Sequence, residues 1–208
     1  MTWKNEPIAF QKAVGILTNK RLINPPCTGG IIFIGSSIFR LWKTLESDMS
    51  PLPVCNQAFG GSRTWEVLHY ADQLIIPHQP KIIVYYCGSN DISAGKNAIG
   101  IRERFQKFVE YIAIHLPQAH IFFVSINRAP AKRLKWFVVD AANDLIQQYC
   151  SYTRNVDFID VNPALFVDDQ PLLELYLDDQ VHFKSSVYIK FTKIIKPILE
   201  NAWRLCLK

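Results

Sequence analysis

Short apolar runs punctuate the chain, and longer amphipathic stretches lie between them. Ile31-Ile32-Phe33-Ile34, Lys81-Ile82-Ile83-Val84-Tyr85-Tyr86 and His120-Ile121-Phe122-Phe123-Val124-Ser125 are continuous β-branched and aromatic runs. Pro53-Val54-Cys55-Asn56 and Val156-Asp157-Phe158-Ile159-Asp160 are weaker versions. Unbroken apolar strands suit a sheet covered on both faces, where neither side of the pleat meets water. Between them, residues 99–116 carry Phe105, Phe108, Val109, Ile112 and Leu116 at steps of three and four, and Pro117 ends the pattern. That spacing puts the apolar side chains on one helix face. The same reading predicts helices over 62–76, closed by Pro77, and over 135–149 and 185–205.

Strand and helix alternate, which predicts an α/β fold. The expected form is a three-layer α/β/α sandwich around a central, mainly five-stranded parallel sheet with right-handed crossovers. No linker, internal repeat or low-complexity segment interrupts it. Residues 1–208 therefore read as a single domain, with 1–27 as an N-terminal helix and lead-in segment.

Composition narrows the choice further. A hydrophobic share of 49% excludes disorder as the main state. No apolar run approaches the roughly 18–20 residues needed to span a bilayer, so no integral membrane segment is expected. The formal net charge of +5 is mild, and the one dense basic group, Lys132-Arg133-Leu134-Lys135, reads as a solvated loop. No stripe of the kind that binds nucleic acid is present, and no nucleic-acid partner is expected. The five cysteines (Cys27, Cys55, Cys87, Cys150, Cys206) form no C-x-x-C pair and are odd in number. Reduced thiols in a cytoplasmic protein are expected, not a zinc site or a disulfide framework. The opening residues, Met1 to Pro7, lack the pattern of a signal peptide.

In parallel α/β sheets, sites form beyond the carboxyl ends of the strands. The first strand is followed by Gly35-Ser36-Ser37 and a helical pattern. A serine there gains from helix N–H groups that favour developing negative charge. It also reads as an ordinary N-cap or as a phosphate-cradling turn. Phe39 stands where the G-x-S-x-G elbow of the α/β-hydrolases has its second glycine, so that motif is absent. The second strand leads into Asn56-Gln57-Ala58-Phe59-Gly60-Gly61-Ser62, whose paired glycines let the backbone approach a ligand. After the third comes Cys87-Gly88-Ser89-Asn90-Asp91, where Asn90 either donates into the cleft or caps a turn. Before the last helix comes Asp178-Asp179-Gln180-Val181-His182, with a carboxylate three residues ahead of an imidazole that it can orient. Taken singly, each has a bland reading. Together they supply a nucleophile, oxyanion donors and an Asp–His base pair, the parts of acyl transfer.

On these four segments the sequence resembles the SGNH hydrolases, the GDSL-type esterases and lipases. The family is named for a Ser, a Gly, an Asn and a His in separate segments, and here they fall on Ser37, Gly61, Asn90 and His182. The match spans about 31–182 in the family's order. Ser36 stands where the signature Asp usually sits, Ala58 where many relatives have Gly, and Val181 where Leu is frequent. The resemblance implies a flavodoxin-like SGNH hydrolase fold and hydrolysis of small or short-chain acyl esters. It makes Ser37 the nucleophile, His182 the base and Asp179 its orienter, with Asp178 as the fallback. The oxyanion donors it implies are Ser37, Gly61 and Asn90, and no metal or organic cofactor is needed.

The expected partner is a small-molecule acyl ester, and homo-oligomerisation stays open. Arg63 reads either as a surface residue or as a contact for an anionic substrate group. Asn127-Arg128-Ala129-Pro130-Ala131 is placed to shape the pocket, while Phe39, Phe59 and Trp65 read as core. Two other functions stay open: a flavodoxin-like nucleotide or phosphate binder, and a catalytically silent interaction module.

Overall fold

The computed structural model describes residues 10–23 and 28–206. In chain order these form α1 (Gln11–Ile23), β1 (Ile31–Gly35), α2 (Ser37–Arg40), α3 (Leu45–Asp48), β2 (Val54–Asn56), α4 (Thr64–His69), α5 (Ala71–Leu74) and β3 (Ile82–Tyr86). There follow α6 (Ser89–Ser93), α7 (Ala98–His115), β4 (His120–Val124), α8 (Trp136–Ser151), β5 (Val156–Ile159), β6 (Phe166–Val167), β7 (Gln170–Pro171) and α9 (Ser185–Cys206). The expected N-terminal helix is α1; the rest of the 1–27 segment, Cys27 included, lies outside the described residues.

The five predicted strands form one parallel sheet in the order β2-β1-β3-β4-β5. This is the flavodoxin-like order. Its topological switch falls between β1 and β3, where a crevice opens at the carboxyl ends. The pleat divides the strand side chains between two cores. Ile32, Ile34, Ile83, Tyr85, Ile121 and Phe123 pack with α4, α5, α7 and α8. Ile31, Phe33, Val84, Tyr86, Phe122 and Val124 pack with α2, α3 and α9. Both faces are covered, which is why β1 and β3 are apolar at nearly every position. The α/β/α sandwich is as the alternation predicts.

Two segments depart from the expected pattern. The helix expected over 62–76 is two short helices that meet at Tyr70, followed by a 3₁₀ turn over Ile76–His78 that contains Pro77. Tyr70 takes a near-bridge backbone (φ −95°, ψ 10°) while its buried ring sits edge-on to Phe59, 5.8 Å away. Tertiary packing at that ring accompanies the break in an otherwise continuous apolar period. The β6–β7 hairpin was not expected. Its turn residues Asp168 and Asp169 both take positive φ, +46° and +58°, without the glycine that usually marks such a turn.

Cys55, Cys87, Cys150 and Cys206 are free thiols. Among the described residues no helix is long and apolar enough to cross a membrane, and no group of three or more His, Cys, Asp or Glu side chains gathers to hold a metal ion.

Candidate active site

The site begins where β1 runs close beside β3. Gly35 has φ +138°, and a Cβ there would overlap the Tyr86 carbonyl oxygen, so only glycine allows this approach. The following turn is held by backbone bonds: Ser36 N donates to Tyr86 O at 3.1 Å and Phe59 N to Gly35 O at 2.9 Å. Ser36 itself is buried and makes no side-chain cap. The backbone bonds order the turn without the carboxylate that GDSL-type sequences usually have there. Ser37 is the first residue of α2, half-buried. Its N–H is therefore among those a helix start leaves without an intrahelical partner.

His182 reaches Ser37 from the other end of the chain. Its Nε2 lies 2.8 Å from Ser37 Oγ, and its Nδ1 lies 2.5 Å from Asp179 Oδ2. The other Asp179 oxygen accepts the backbone N–H groups of Val181 and His182, each at 2.9 Å. These bonds stabilise the charged carboxylate. The His182 backbone N–H is the largest cause and the imidazole the next, and together they lower the carboxyl from its usual 3.8 to about 2. The loop is closed by Leu177 N to His182 O and Gln180 N to Leu177 O, both 2.8 Å, with Gln180 in the left-handed region at φ +51°. Among the described residues, Asp179 and not Asp178 contacts the imidazole.

Two more segments complete the crevice. Asn56 ties the β2 segment to the serine helix, donating from Nδ2 to Phe39 O at 2.6 Å while its Oδ1 accepts Ala58 N at 3.1 Å. This brings Gly61, φ +82°, to the cavity wall. Asn90 donates from Nδ2 to Ser62 O at 3.0 Å, which fixes the amide plane. Its neighbour Asp91 points the opposite way, into the core. The buried Asp91 carboxylate accepts Thr64 N at 3.0 Å, Thr64 Oγ1 at 2.6 Å and Arg104 Nη1 at 3.2 Å. Burial raises its pKa and these donors oppose the rise.

Ser37, Gly61, Asn90 and His182 all line one cavity of about 440 Å³. Asn127 lines it too, with its Oδ1 accepting the Tyr86 hydroxyl. Arg40 also lines it; the sequence reading missed this residue, although its position three residues after Ser37 on a helix was a usable signal.

Other candidates lie elsewhere. Arg63 pairs with Glu66 at 2.9 Å and sits over the Trp65 ring, outside the cavity lining. Arg128 is turned to Asp140, at 2.6 Å. Lys132 and Lys135 are anchored on α6, donating to Ser89 Oγ at 2.8 Å and to Ile92 O at 3.1 Å, so the basic group is a docked segment and not a free loop. Phe39, Phe59 and Trp65 are buried in the core. Cys87 is buried as well, its thiol donating to Ser62 O and its pKa pushed up by burial, which keeps it in the inert thiol form. A cavity of about 640 Å³ between Lys81, His120, Arg154 and Asp157 lies at the opposite end of the sheet.

The chain belongs to the GDSL-like Lipase/Acylhydrolase family, whose model matches residues 37–188. No curated protein matches it by sequence. Several solved structures share the fold. A GDSL-like lipase from Bacteroides thetaiotaomicron is 16% identical with a TM-score of 0.74, over 91% of this chain and 98% of the other. A carbohydrate esterase family 3 protein from Talaromyces cellulolyticus is 17% identical with a TM-score of 0.66, over 84% and 97%. An acetyl-xylooligosaccharide esterase from Geobacillus Stearmophilus, solved as a mutant, is 13% identical with a TM-score of 0.64, over 81% and 93%.

Proposed function

We propose that the protein is a serine esterase that cleaves small or short-chain acyl esters through an acyl-Ser37 intermediate. The observation that carries this reading is the unbroken chain from Ser37 Oγ to His182 Nε2, 2.8 Å, and from His182 Nδ1 to Asp179 Oδ2, 2.5 Å. In it, His182 takes the Ser37 proton as Oγ attacks the ester carbonyl. Asp179 holds the ring tautomer and stabilises the imidazolium. The N–H groups of Ser37 and Gly61 and the Asn90 amide receive the oxyanion. Collapse expels the alcohol, which takes the proton from His182. Water, activated by the same imidazole, then attacks the acyl-serine and releases the acid. Every step is proton transfer or acyl transfer, with roles for side chains already in contact.

The cavity volume of about 440 Å³ supports small substrates, within the range of roughly 300–1,000 Å³ usual for small-molecule sites. Two of the similar structures are esterases of carbohydrate substrates by their own descriptions, which puts acetylated sugars in the first substrate panel. The free thiols support a reducing, cytoplasmic setting. The test is turnover of 4-nitrophenyl acetate and butyrate by wild type, Ser37→Ala and His182→Ala. Both variants are expected to lose activity; full activity in Ser37→Ala overturns the reading.

A further inference from the structure

Arg40, an exposed arginine, lines the cavity without an ion-pair partner among the described residues. Arg40 ends α2 three residues after Ser37, so the two side chains share a helix face. Its guanidinium lies against the Gly60 backbone: a Cβ on Gly60 would stand 2.6 Å from Nε and 3.2 Å from Cζ. Gly60 is outside the positive-φ glycines, so its backbone conformation does not demand glycine. The missing side chain makes room for the guanidinium beside Gly61. Three other arginines pair with carboxylates, Arg63 with Glu66, Arg104 with Asp91 and Arg128 with Asp140, whereas Arg102 bonds the Gln106 amide and Arg133 lies over the Trp136 ring. Among the described residues Arg40 has no carboxylate partner, and none of those lining the cavity is a carboxylate. Asp179, in the loop that carries His182, is already engaged by that imidazole and by two backbone N–H groups.

We propose that Arg40 is a specificity residue, and that the ester hydrolysed here carries an anionic group, a carboxylate or a phosphate, that pairs with its guanidinium. This rests on the esterase reading. A planar guanidinium presents paired donors that match either oxyanion. Seated one helical turn from the nucleophile, it favours esters whose anion lies a few bonds from the scissile carbonyl.

The experiment compares charged esters with uncharged counterparts. 4-Nitrophenyl hemisuccinate is set against its methyl ester, placing the anion on the acyl side. 4-Acetoxybenzoate is set against its methyl ester, and 4-acetoxyphenyl phosphate against phenyl acetate, placing a carboxylate or a phosphate on the alcohol side. In at least one pair, wild type is expected to favour the charged ester in kcat/KM, and the pair that responds identifies the anion and its side. In Arg40→Gln that charged-to-uncharged ratio is expected to fall about ten-fold, the size of a hydrogen bond to a charged group. Arg40→Lys should be intermediate, and Gly60→Ala, which displaces the guanidinium but keeps its charge, should lower the ratio as well. Because the readout is a ratio, partial loss of folded protein does not move it. A wild type that favours the uncharged ester in every pair, or an unchanged ratio in Arg40→Gln, overturns the proposal while leaving the esterase reading standing. Turnover of none of the six esters overturns both.

Discussion

Asp179 grips His182 twice, from one carboxylate: Oδ1 on the backbone N–H at 2.9 Å and Oδ2 on Nδ1 at 2.5 Å. The adjacent Asp178 has no part in this contact. Asp179→Ala should therefore lower kcat by roughly 10³–10⁴, the usual scale for losing the orienting carboxylate of such a triad. Asp178→Ala should stay close to wild type. Steady-state kinetics on 4-nitrophenyl butyrate decide it, and the reverse result would make Asp178 the orienter.

The same bonds fix the pH behaviour. Asp179 is held at about 2, below its usual 3.8. A carboxyl depressed by folding contributes stability above its unfolded value, and that contribution is lost as pH falls through the folded one. The window runs from about pH 4 down to about pH 2, and the stability at stake is small because the side chain is half exposed. Asp179 stays ionised throughout neutral and mildly acidic conditions. Asp179 should thus add no protonation of its own to the acid limb of log kcat/KM above about pH 4. A limb of slope two above about pH 4 would contradict this account.

Asn90 and Asp91 are neighbours with opposite tasks. Asn90→Ala should cost on the order of 10²–10³ in kcat, as for an oxyanion donor, with little change in Tm. Asp91→Ala removes the buried carboxylate that pairs with Arg104 and unmakes three hydrogen bonds, with an expected loss of about 3–5 kcal/mol in stability. Denaturant titration beside kinetics separates the two.

Gly35→Ala should be among the most damaging single-methyl additions in the protein. Its φ of +138° is hostile to a side chain and the new Cβ would overlap Tyr86 O. The expected cost is about 3 kcal/mol or more, with loss of the soluble folded fraction on expression as the readout.

The central sheet was legible because each of its strands is a short apolar run between helical periods, a pattern that burial on both faces imposes. The second core was legible for the same reason in the 3- and 4-residue steps that became α9. Tyr70 was not, since the break there accompanies packing on Phe59, a residue far enough along the chain that no local pattern reveals it. The hairpin at Asp168-Asp169 was hidden by aspartates doing a glycine's conformational work. At the site, the four segments that come together were all named from sequence: Ser37, Gly61, Asn90 and His182 line one cavity. Arg63 read either as a surface residue or as a contact for an anionic group, and Glu66 three positions on takes its guanidinium. Arg40 went unnoticed although its place three residues after Ser37 is visible in the sequence, while the space it occupies at Gly60 shows only in the folded chain.

The most direct test of the account is covalent labelling. Wild-type protein treated with a fluorophosphonate should gain one phosphonyl adduct, and peptide mapping should place it on Ser37, with labelling lost in Ser37→Ala and strongly slowed in His182→Ala. An unlabelled wild-type protein, or an adduct on another residue, would contradict the assignment of Ser37 as the nucleophile.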